Sequence, residues 1–183
     1  MSETIDTNSL PAIGEDSKLG GLVSKFAAEY SQDPKEATSA GLLGWMYSHY
    51  GEFDAAARVF NFGVDTFPSD HKIIIRRAEF LSRCPDQAFR NGSAAIKDAK
   101  HALELARHDG WFDGRPYEEC DYLETLAAGY ALLGDTASAI STLWDAHSIA
   151  RTNKIRKRLI ESLAQVEAGK ILVHSIWERA GRS

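Results

Sequence analysis

The feature that most constrains the fold of this chain is an internal repeat. The matching positions lie 83 residues apart and agree in residue type: Leu43 with Leu126, Tyr47 with Tyr130, Gly51 with Gly134 and Ala56 with Ala139. A weaker copy lies between them, with extra residues near 84–91 and 107–119. A repeat of this length predicts small structural units that stack side by side and bury their apolar faces against one another.

The first unit, residues 37–68, predicts a pair of antiparallel helices. Two stripes of apolar and small residues recur at spacings of three and four: Ala40, Leu43, Gly44 and Tyr47, then Ala56, Val59, Phe60 and Gly63. Such spacing places each stripe on one face of a helix. Gly51 can take the left-handed conformation that ends the first helix, and Pro68 stops the second. Gly44 and Gly63 fall where the two helices must approach closely.

These residues resemble a tetratricopeptide repeat. The pattern reads Leu43-Gly44-x2-Tyr47-x3-Gly51-x-Phe53-Asp54-x-Ala56-x3-Phe60-x2-Gly63-x4-Pro68, with Ala40 where the family often has Trp. Residues 120–149 are a second match and residues 71–105 a degenerate one. The loop Cys84-Pro85-Asp86-x3-Arg90-Asn91-Gly92 and the later run 122–127 are similar to a form common in bacterial repeat proteins, with Asn91 and Glu124 in place of aspartates.

The resemblance covers roughly residues 37–150 and implies an all-α fold, a short right-handed superhelix of stacked helix pairs. We expect a single domain over 17–183, made of eight helices. Its parts are a degenerate capping helix at 17–34, repeats at 37–68, 71–105 and 120–149, and a long capping helix at 154–179. Residues 1–16 are polar and acidic, and predict a flexible tail.

The resemblance also implies a function, which is to bind a protein or peptide partner in a concave groove as a scaffold module. The first helix of each pair lines that groove, and the positions that face it are Trp45, His49, Lys72, Arg76, Glu79, Arg83 and Glu124. Trp45 beside a basic row suits partner binding. Alternatively, Arg76 and Arg83 pair with acids on the neighbouring helix, Glu124 and Asp121, and Trp45 only packs. The Lys and Asn of the family's clamp for chaperone tails are absent, because Gly41 and Trp45 stand there.

A second interaction surface is predicted at the end of the last helix. Apolar residues there cover more than one helical stripe, so packing on the preceding pair cannot bury them all. The residues concerned are Leu172, Ile176 and Trp177. We expect this end to contact a partner or a second copy of the chain, which gives an oligomer-forming subunit as the alternative function.

Other classes of function find no support in the sequence. No nucleophile, acid and base have the spacing of an enzyme's site, and the scattered His and Cys residues predict neither metal nor cofactor binding. A formal charge of −5 argues against a nucleic-acid partner. The first residues lack a signal peptide and no run is long enough to span a bilayer, so we expect a cytoplasmic protein with two reduced cysteines, Cys84 and Cys120, or a disulfide between them.

Overall fold

The structure, a computed structural model, describes residues 37–172. The predicted tail at 1–16, the predicted helix at 17–34, and Ile176 and Trp177 lie outside the described residues. Within 37–172 the chain is helical and contains no strand, which confirms the all-α prediction. The helices are α1 (Ala37–His49), α2 (Phe53–Thr66), α3 (His71–Arg83), α4 (Gly92–His108), α5 (Pro116–Leu132), α6 (Thr136–Ile149) and α7 (Asn153–Glu167), with a 3₁₀ turn at Gln87–Phe89.

The helices pack in sequential pairs, α1 with α2, α3 with α4, and α5 with α6. Each helix also contacts the next one along the chain. In addition, α1 contacts α3, α3 contacts α5, and α5 contacts α7, so the odd-numbered helices form one continuous layer. The core runs between this layer and the even-numbered helices.

Glycine allows α1 and α2 to cross closely. A Cβ atom on Gly44 would lie 2.7 Å from Cε1 of Phe60, and one on Gly63 would lie 3.1 Å from Cβ of Ala40. Both distances are shorter than ordinary contacts, so any larger residue would force the helices apart. The two glycines thus have the role expected of them from the sequence.

The direction of α3 follows from the contacts that α2 makes with it. The Phe60 ring packs on Phe80 with centroids 5.4 Å apart, and Gly63 lies against Ile73. The earlier residue of α2 thus contacts the later residue of α3, and the later one contacts the earlier, so α2 and α3 are antiparallel. Because α2 is antiparallel to both neighbours, α1 and α3 run parallel.

An ion pair that sequence patterns did not predict ties α3 to α4. Arg77 donates from Nε to Oδ2 of Asp98 at 2.7 Å and from Nη2 to Oδ1 at 2.9 Å. The Asp98 side chain is 8 % exposed. Such a two-point geometry fixes both the distance and the rotation of the two helices.

The helix ends add detail to two predicted ranges. Helix α5 begins at Pro116, ahead of the repeat match at 120–149, since proline is well tolerated in the first turn, where its missing N–H is not needed. Helix α7 ends at Glu167, whereas the prediction ran to residue 179. Gly169 takes a left-handed φ of +69°, and the amide of Lys170 donates to the carbonyl of Gln165 at 2.9 Å, the pattern that terminates a helix.

Candidate functional site

A groove of about 700 Å³ lies along the layer of odd-numbered helices. It is lined from α1, α3, α5 and α7 and from the segment between α4 and α5. We call it the groove, and its principal residues are Leu42, Trp45, Lys72, Arg76, Glu79, Arg83, Trp111, Glu118, Asp121, Glu124 and Arg158. Four basic and four acidic side chains are among them.

The structure brings six of the seven predicted groove residues together on this surface. They come from three helices: Trp45 from α1, Lys72, Arg76, Glu79 and Arg83 from α3, and Glu124 from α5. The seventh, His49, lies behind the lining, where its ring stacks on Trp45 with centroids 5.1 Å apart and an 18° interplanar angle. Whether these residues contact a partner stays a prediction.

The second predicted contact surface consists of Leu172, Ile176 and Trp177. Leu172 is 4 % exposed and belongs to the apolar core, and α7 ends before it. A partner contact at Leu172 stays a prediction. Ile176 and Trp177 remain predictions.

The acidic wall of the groove is held by α7. Arg158 donates to Asp121, and its Nε lies 3.1 Å from Oε2 of Glu124. Ser162 adds a hydrogen bond to Oε1 of Glu124 at 2.6 Å. Desolvation on the groove side raises the pKa of the Asp121 carboxyl although 54 % of its side chain is exposed, and the Arg158 guanidinium opposes this shift.

The basic row on α3 therefore does not pair as the alternative interpretation expected. Arg76 binds Glu79 on its own helix, at 3.0 Å between Nη1 and Oε2. The Arg76 side chain is 51 % exposed, and an exposed pair of this kind is weak enough to be exchanged for another partner. The acids on α5 are instead occupied by Arg158.

An aromatic ring between two cations forms the end of the groove. Lys72 Nζ lies 4.1 Å from the centroid of the Trp111 ring, and the guanidinium carbon of Arg115 lies 4.3 Å from it. The indole N–H donates to Glu118. Through these contacts with α3 and α5, Trp111 joins the segment between α4 and α5 to the wall of the groove.

His71, beneath this ring, is buried and carries a specific hydrogen bond. Its Nδ1 lies 2.8 Å from the hydroxyl of Tyr122, and its ring packs on Trp111 with centroids 5.1 Å apart. Burial lowers the pKa of His71 below its usual 6.5. The neutral ring therefore supports the groove from below, and protonation would weaken that support.

Arg83 is the unusual member of the groove. It is 5 % exposed, and its Nε and Nη2 atoms are buried with no hydrogen-bond partner in the described part of the chain. The Nδ1 atom of His49 is buried and unpartnered in the same way. A charged group in this state costs free energy, so its presence requires an explanation.

Comparison with known proteins identifies no relative of this chain. No family model, curated protein or solved structure matches the chain. Within residues 37–172 no helix has the length and apolar character needed to cross a bilayer, and no cluster of His, Cys, Asp and Glu side chains could hold a metal ion. The geometry of the groove is therefore the basis for inferring function.

Sequence reasoning missed several residues of the groove. Trp111 comes from the segment before α5 and Arg158 from α7, whereas Glu118 and Tyr122 are on α5 at positions that the prediction did not assign to the groove. A signal for Arg158 was present, because it lies next to the apolar Leu159 and one helical turn before Ser162, on the side of α7 that packs on the protein. Its neighbours Arg156 and Lys157 are exposed.

Proposed function

We propose that this chain is a tetratricopeptide-like interaction module that holds a protein or peptide partner in the groove. The repeat pattern and the layer of odd-numbered helices support this, because a stack of helix pairs leaves the first helices to form a concave surface. A surface of this kind is shaped to accept a chain segment along its length.

The observation that carries the proposal is the composition of the groove at its open face. Trp45 is half-buried and remains accessible, next to Leu42, which is 39 % exposed. Lys72 and Arg76 lie beside them with exposed side chains. Tryptophan and arginine are the residue types that most often dominate binding energy at protein interfaces, and here they share one concavity.

The test uses a photo-crosslinking amino acid at two exposed apolar positions. One replaces Leu42 in the groove. The matched control replaces Trp144, which is 50 % exposed on α6 and does not line the groove. We expect crosslinks to a defined partner from position 42 and none to that partner from position 144, followed by binding of the purified partner to the purified chain.

A second experiment reverses the charge of one side chain in the groove. Arg76→Glu should weaken binding of the purified partner by at least about tenfold, on the order of 1.4 kcal/mol, while the helical circular dichroism is unchanged. The control is Lys157→Glu, on a side chain that is 80 % exposed and outside the groove. Equal crosslinking at both positions, or equal loss in both variants, would show that the groove is not the binding surface.

A further inference from the structure

We propose that Arg83 is the anchor for a carboxylate of the bound peptide, an Asp or Glu side chain seated in the groove. This inference rests on the proposed function and specifies the chemistry of the partner. It places the acidic residue of the partner at the end of the groove formed by the last turns of α1 and α3.

The first argument is the state of the guanidinium. The other basic side chains that line the groove have charged or aromatic partners: Lys72 lies over Trp111, Arg76 binds Glu79, and Arg158 binds Asp121. The Nε atom of Arg158 makes no hydrogen bond, but it lies 3.1 Å from the Glu124 carboxylate. For Arg83 the described residues provide no ion pair and no hydrogen bond at Nε or Nη2. Its position in the last turn of α3 favours a positive charge but satisfies neither N–H group. A ligand that accepts two parallel hydrogen bonds would satisfy both.

The second argument is the position of Arg83 relative to His49. Gly41 of α1 lies against Ile73 and Arg76 of α3, and the two helices run parallel. Moving along both helices by the same number of turns brings their last turns, with His49 and Arg83, to the same end of the groove. Three of the four buried nitrogens without a hydrogen-bond partner in the described part of the chain belong to these two residues, and the fourth, Nε of Arg158, lies 3.1 Å from the Glu124 carboxylate.

The balance of charge selects the ligand. Four basic and four acidic side chains line the groove, so it has no surplus of positive charge to neutralise a doubly charged phosphate. A single carboxylate matches the planar fork of one guanidinium and neutralises its one charge. The rest of the groove, with Leu42 and Trp45, continues well past this point and provides room for the peptide on which the carboxylate is carried.

The test is a titration of the full chain with capped amino acids, followed by the ¹H–¹⁵N resonance of the Arg83 Nε–H group. The probe is N-acetyl-glutamate amide, whose only charge is the side-chain carboxylate, and the neutral control is N-acetyl-glutamine amide. We expect saturable shifts with the first, at a Kd on the order of 1 mM, and none with the second. Arg83→Gln should weaken binding at least tenfold, whereas Lys157→Gln, on a side chain that is 80 % exposed and outside the groove, should change it less than twofold.

A further variant keeps the test valid if Arg83→Gln folds poorly. Arg83→Leu removes the unpaired charge, so it should raise the melting temperature and abolish binding of the probe. No saturable shift, equal shifts from both probes, or retained binding in the Arg83 variants would overturn the carboxylate site. Succinate binding ten times more tightly than the capped glutamate would overturn the assignment to a peptide.

These outcomes are separable from those of the proposed function. A partner that crosslinks at position 42 while the capped glutamate fails to bind would leave the interaction module intact and remove the carboxylate anchor. Binding of the capped glutamate at Arg83 without crosslinks at position 42 would retain the anion site and remove the protein partner.

Discussion

The close crossing of α1 and α2 gives a quantitative prediction for Gly44→Ala. The added Cβ would lie 2.7–2.9 Å from three atoms of the Phe60 ring, closer than Cβ atoms are normally found. The ring cannot move away, because Phe60 is 2 % exposed and packs on Phe80. Forcing a methyl group into such a core costs about 1–3 kcal/mol, whereas replacing glycine by alanine inside a helix gains about 1 kcal/mol. We expect a net loss of about 1 kcal/mol.

The same helix provides a matched control in Gly41→Ala. A Cβ there would lie 3.7 Å from Ile73 and 3.8 Å from Arg76, which is ordinary contact. This variant should gain about 0.5–1 kcal/mol from helix propensity alone. Urea unfolding followed by circular dichroism measures both, and the free energies of unfolding should differ by about 1–3 kcal/mol, the cost of overpacking. Two variants of equal stability would refute the close crossing on which the helix pairing depends.

Three further predictions concern buried groups. Asp98→Ala should lower the free energy of unfolding by about 3 kcal/mol in urea, because it leaves Arg77 without its two-point partner, and a loss below about 1 kcal/mol would contradict this. Because burial lowers the pKa of His71, the ring takes up a proton more readily in the unfolded state than in the folded state. The contribution of His71 to the free energy of unfolding should therefore be fully present above pH 6.5 and fall as the pH drops below it. His71→Gln should remove that part of the pH dependence of the melting temperature. Burial raises the pKa of both Cys84 and Cys120 to about 11, so a thiol reagent at about pH 8 should modify them only after urea is added, and fast modification of the native chain would disprove their burial.

The spacing of small and apolar residues was enough to predict the helix pairs. Helical periodicity fixes which residues share a face, so the row from Lys72 to Arg83 could be placed on one surface before its neighbours were known. The close approach at Gly44 followed from the same pattern, since no other residue type fits between crossing helices.

Contacts between side chains far apart in sequence could not be predicted from helical periodicity. The long side chain of Arg158 joins acids nearly forty positions earlier, and only the packing of α7 on α5 brings them together. The end of α7 was missed for a different reason. The apolar residues after Gly169 suggested a continuing helix, and their periodicity was given more weight than a glycine that could stop it.

The ion pairs of Arg158 give α7 a second role besides covering apolar surface. Without that guanidinium, Asp121 and Glu124 would face each other as two uncompensated negative charges along one side of the concavity. Any longer array built by adding another helix pair after α6 would therefore need a cation at the equivalent place, or this side of the groove would carry an uncompensated negative charge. Helix α7 thus sets the electrostatic character of the groove and limits how the array can grow.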